Sequence, residues 1–138
     1  MTAHHHHLAR LNAAVEQHGV SGLVSELRVC VQRSRRERAI FLMSAMVRCT
    51  NVNDQVALAS ADASSVITDA LAARPGDSLT VCAGLCALDK CWPSEEHTND
   101  ARATRRLVQT CIGAIFTHAD LIVHQAAVRL LQRHAHSD

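Results

Sequence analysis

Tyrosine is absent from this chain of 138 residues, and the only other aromatics are one tryptophan and two phenylalanines. A β-sandwich or barrel fills its core with aromatic and β-branched side chains, so this composition points away from one. Glycine and proline are scarce too, five and two, which leaves little punctuation for many short strands. No apolar run is long enough to cross a bilayer and no hydrophobic signal segment is visible, so membrane insertion is not expected. The formal net charge is only +1, which argues against nucleic acid or an acidic membrane as a partner through bulk electrostatics. Six cysteines occur without a Cys-x-x-Cys pair. They lie in or beside apolar stretches and read as reduced, buried thiols packing as small hydrophobes, which implies a cytoplasmic protein.

What is present is 48% apolar and 20% charged residues, enough to build a core and exclude a disordered chain. With so few aromatics, alanine, valine, leucine and cysteine must do the packing, and small side chains suit closely stacked helices. The histidine-rich start, residues 1–7, is set aside as a leader or tag.

The chain repeats itself about every 42 residues. Leu42–Met46, Gly84–Leu88 and Ala127–Leu131 close three similar units, spaced by 42 and then 43 positions when Ala45, Ala87 and Leu130 are superposed. A period of about 40–47 residues built from helices is the signature of a helical solenoid. The units fall at about 8–50, 51–93 and 98–135. In the first, a helix ends at Gly19, which can adopt a left-handed conformation; Ser21 can cap the next helix, and Leu23, Val24 and Leu27 share a face. After a polar break at Gln32–Arg36, a third helix runs from Glu37 to Cys49. In the second unit Ala61–Ile67 repeats the turn and cap. Arg74–Asp77 is the break, where Pro75 cannot continue a helix and Asp77 or Ser78 can start one. Leu79 to Cys91 is its third helix. The third unit keeps a long helix from Ala101 to about His118, a break at Ala119–Asp120 and a closing helix to about His134; its short first helix is missing or fused.

These units resemble the armadillo repeat family. The family's glycine turn and leucine-rich second helix are echoed by His18–Leu27 and more faintly by Ala61–Leu71, and its Ala-Leu third helix by Gly84–Leu88 and Ala127–Leu131. The resemblance spans roughly residues 10 to 135 and implies an all-α, right-handed superhelix of three repeats whose third helices line a concave groove. It implies a non-catalytic protein-binding scaffold or adaptor without a cofactor. The asparagine that the family places in the groove falls here on Arg48, Lys90 and Arg133, and the position one turn earlier on Ser44, Cys86 and Arg129. The ladder that grips a basic peptide in nuclear-import adaptors is therefore replaced by a cation in each unit. A basic stripe suits an acidic or phosphorylated peptide, because arginine pairs bidentately with carboxylate or phosphate. The plainer reading is that cations in a helix's last turn favour its dipole and face water.

Other constellations are weaker. Arg33, Arg35, Arg36 and Arg38 read as a solvated loop rather than a nucleic-acid signal, since Glu37 interrupts them and no aromatic partners accompany them. Cys82, Cys86 and Cys91 with His118 or His124 do not match a zinc spacing, and a Cys–His nucleophile would need a proximity that sequence does not reveal. Trp92 reads as a plug between units. Three repeats are about the minimum for a stable solenoid, so an end face would be polar or covered by a partner, a second copy or further sequence. That leaves a self-associating module, a homo-oligomer, or a fragment of a larger repeat protein as the alternative reading.

Overall fold

A computed structural model describes residues 3–49, 51–91 and 101–135, which form seven helices and no strand. They are α1 (Ala3–Gln32), α2 (Arg36–Val47), α3 (Val52–Ser60), α4 (Ala63–Ala73), α5 (Ser78–Cys91), α6 (Ala101–Thr117) and α7 (Leu121–Ala135). Trp92, Thr50 and the polar segment 92–100 lie outside the described residues, as does His136. The fold is all-α.

Each boundary has a local cause. Gly19 breaks α1 with φ 65° and ψ 168°, a conformation that glycine reaches without a Cβ penalty. The chain stays helical on both sides, so Ser21, expected as a cap, sits inside the helical run. Ser34 turns the chain into α2 with φ 56°. Asp62 takes the left-handed conformation ahead of α4 and makes no side-chain cap there, in contrast to the expected turn-and-cap. Asn51 caps α3 by accepting from the Asp54 amide at 2.8 Å. Asp77 caps α5 as expected, accepting from the Leu79 amide at 3.2 Å and the Thr80 hydroxyl at 2.9 Å.

Packing follows the repeat. Within units α1 packs on α2, α4 on α5 and α6 on α7; between units α2 packs on α5 and α5 on α7, while α1 packs on α4 and α4 on α6. The contacts thus form two rows, and α5 is shared by both neighbours of its row. The buried stripe on α2 is Ala39, Leu42, Met43 and Met46, and on α5 it is Val81, Gly84, Leu85 and Leu88. Both follow the i, i+3, i+4, i+7 pattern of a single helix face. On α7 the stripe is Val123, Ala126, Ala127 and Leu130. These four positions recur at 42 residues in both intervals, whereas the equally buried Ala45 and Ala87 lead at 42 to the exposed Arg129 and the capping residues Asp77 and Asp120 are 43 apart.

One ion pair ties unit to unit at the start of the row. The Arg36 guanidinium, in the first turn of α2, donates to both carboxylate oxygens of Asp77, with Nη2 at 3.0 Å from Oδ1. Those bonds hold the Asp77 carboxyl well below the usual range; burial opposes them and Thr80 reinforces them. A depressed carboxyl stabilises the fold fully above its unfolded pKa of about 3.9, and that contribution fades as pH falls toward the folded value. Glu26, lowered chiefly by its bond to Arg38, acts in the same window. The melting temperature of the wild type is expected to fall steeply below about pH 4, and less steeply in Asp77→Asn, as read by circular dichroism; equal slopes would show that the clamp contributes nothing.

Candidate functional site

The exposed side of the α2–α5–α7 row is where the sequence places a groove. Arg48 follows the last turn of α2 and is exposed; its Nε lies 3.5 Å from Asn12 Oδ1 on α1. Lys90 is exposed in the last turn of α5. Ser44 and Cys86 sit one turn earlier, both half-buried. Ser44 donates to the Ile40 carbonyl at 2.8 Å, so its hydroxyl is satisfied within its own helix. Cys86 lies against Cys82, and burial followed by Cys86 itself pushes the Cys82 thiol up.

The third rung differs from the expectation. Because the buried stripe of α7 keeps a 42-residue interval, the positions equivalent to Cys86 and Lys90 are Val128 and Gln132, both exposed. Arg129 and Arg133 come one residue later, about 100° further round the helix. There they turn toward α5: Arg133 donates to the Asp89 carbonyl and, at 3.0 Å, to Asp89 Oδ1, and Arg129 Nη1 lies 3.7 Å from Asp89 Oδ2. Asp89 is mostly shielded, and both arginines remain substantially exposed. The structure therefore brings Arg129, Arg133 and Asp89 together as a junction between units two and three, while Arg48 and Lys90 hold equivalent positions at the ends of α2 and α5. The five charges sum to +3.

The arginine cluster at 33–38 is only partly the solvated loop expected of it. Arg33 and Arg35 are exposed, but Arg36 clamps Asp77, and Arg38 donates to Glu26 Oε1 at 2.7 Å. The Arg38 and Arg10 guanidiniums lie 5.0 and 5.3 Å from the centre of the Phe41 ring. These are structural contacts of a helix start. The aromatic partner was in the sequence at Arg38 plus three, one helical turn away, but belonged to a segment read only for its apolar face.

The thiols and histidines serve packing. Burial pushes Cys49 and Cys111 up to about 11 and Cys91 up to about 12, and raises Cys30. A nucleophilic cysteine needs the opposite shift, since the thiolate is the reactive form. All six cysteines are free. His118 is buried with Nε2 at 2.8 Å from the Pro75 carbonyl, and His124 Nε2 contacts the His118 carbonyl, so both pin the α6–α7 turn. Among the described residues no group of three His, Cys, Asp or Glu side chains converges as a metal site would require. The clefts among the described residues include one of about 210 Å³ beside Arg35, Arg36 and Arg74, one of about 170 Å³ between α4 and α6, and a wider, charged one of about 690 Å³ over Arg10, Glu26, Arg38 and Phe41. The first two fall below the roughly 300–1,000 Å³ of typical small-molecule sites, and the third lies within that range. No single helix among the described residues is long and apolar enough to cross a membrane.

Comparison with protein-family models, with curated proteins and with solved structures finds no match.

Proposed function

We propose that this chain is a non-catalytic, cytoplasmic protein-interaction module: a short armadillo-like right-handed superhelix that holds an acidic or phosphorylated peptide across its α2–α5–α7 row. The observation that carries this reading is that Arg48 and Lys90 are exposed at equivalent points at the ends of α2 and α5, with Arg129, 65% exposed although it leans toward Asp89, beyond them on α7. Asp89 offsets only one of the four positive groups there. An extended ligand gains from each helix in turn, which is how solenoids use a surface in place of a pocket. Thiols kept protonated by burial support binding over chemistry. Arg133 belongs to the junction with Asp89 and serves as structure more than as a ligand contact.

The test is fluorescence anisotropy with labelled octaglutamate and phosphoserine peptides, and an oligolysine control. The wild type is expected to bind the acidic peptides in a salt-dependent way. Reversal of Arg48, Lys90 and Arg129 to glutamate is expected to weaken binding by about a hundredfold, on the order of 1 kcal/mol per charge. Circular dichroism confirms that the variant is folded. Equal affinity in the reversed variant, or no acidic-peptide binding by the wild type, sinks the reading.

A further inference from the structure

Phe116 is 86% exposed near the end of α6, although the chain has only two phenylalanines. Around it Ile112 and Leu121 are exposed as well, so the anomaly is a patch and not one residue. Patches of this kind mark interaction surfaces. Gly113 lies beside Phe116 on the same side of α6, and no atom lies within 4 Å of where its Cβ would stand. A second helix can therefore approach α6 closely at that point. Next to Gly113 opens the apolar cleft of about 170 Å³, lined by Leu71, Pro75, Val81, Thr110, Gly113 and Ala114. A cavity of about 150 Å³ accepts a benzene ring.

We propose that this face binds a second copy of the chain, with the two α6 helices crossing antiparallel about a two-fold axis at Gly113. The helix register favours that occupant. Antiparallel pairing about residue 113 sets Phe116 level with the partner copy's residue 110, because each lies three residues from the axis. Each phenyl ring then meets the other copy's cleft, and a knob and a hole on one surface satisfy the self-complementarity of a two-fold interface. The contact occurs twice. On the α2–α5–α7 row the exposed patch reaches only Leu121, about two helical turns before Arg129, so the inference is tested independently of peptide binding.

Light scattering coupled to size exclusion, run on the full chain over a wide concentration range, reads the mass. The wild type is expected to approach twice the chain mass as concentration rises. Phe116→Glu is expected to halve that limiting mass without altering the helical circular dichroism, since the residue it replaces is exposed. Gly113→Cys places a thiol at the axis and is expected to give a reducible covalent dimer, which Arg28→Cys, exposed on α1, does not. A wild type that stays monomeric at every concentration overturns the proposal, as does a Phe116→Glu variant that still doubles its mass, or open-ended growth in mass, which would mean head-to-tail stacking.

Discussion

Replacing Gly84 by valine is expected to destabilise the protein by about 3 kcal/mol, among the largest losses any single substitution in it should give. Gly84 is buried where α5 crosses α4, and a Cβ built on it stands 2.9 Å from Leu71 Cγ, with Cδ2 closer still. Leu71 is itself buried, and its Cγ meets the new Cβ as well as Cδ2, so turning the end of its side chain does not relieve the clash. The two helices would have to separate, and α5 also carries α2 and α7. Gly84→Ala makes a milder test. Its clash costs about 2 kcal/mol, and the better helix propensity of alanine returns about 1, leaving a net loss near 1. Urea unfolding followed at the helical band measures both; a Gly84→Val protein as stable as the wild type would mean that α4 and α5 do not approach as described.

Leu85→Ala is expected to cost about 3 kcal/mol, while Val128→Ala costs less than about 0.5. Leu85 is fully buried at the centre of α5, and its truncation leaves a cavity between helices that cannot close around it. Val128 is 42% exposed, so little is lost when its methyl groups go. The pair decides the phase of the third unit. If the units were spaced by 42 and then 43 residues, Val128 would be the counterpart of Leu85 and both truncations would be severe. With 42 throughout, Ala127 is the counterpart and Val128 faces outward with Ser44 and Cys86. A large effect at Val128 would therefore reverse the assignment of the third rung.

Much of the secondary structure was legible before any coordinates. The breaks at Gly19, at 33–35, at Asp77 and at Ala119–Asp120 follow from glycine, charge and capping chemistry that act within a few residues. The stretch where a short first helix of the third unit would fall, about 94–102, lies mostly outside the described residues. The candidate site was legible on α2 and α5 through the 42-residue interval, which carries Ser44 onto Cys86 and Arg48 onto Lys90, the first pair half-buried and the second exposed. It was not legible on α7. Residues 121–131 read Leu-Ile-Val-His-Gln-Ala-Ala-Val-Arg-Leu-Leu, and apolar side chains occupy two overlapping faces: Val123, Ala127 and Leu130 on one, Val128 and Leu131 on the next. The doubled leucine fits either phase equally well. The Asp89 junction and the Arg36–Asp77 clamp were equally hidden, because each joins residues about one repeat apart and no local pattern pairs a particular arginine with a particular aspartate.

The sequence by itself determined that this protein is helical and where several of its helices break, at Gly19, 33–35, Asp77 and 119–120. Those properties depend on backbone preferences and on apolar spacing within one helix. Tertiary packing alone decided which face of α7 is buried, and with it that Arg129 and Arg133 serve Asp89 while Val128 and Gln132 take the exposed rung. It also left Phe116 exposed on the single chain. Hydrophobic burial is non-directional, so when a helix offers two apolar faces its own residues do not choose between them. The neighbouring helix chooses, through the volume it leaves free and the charges it brings.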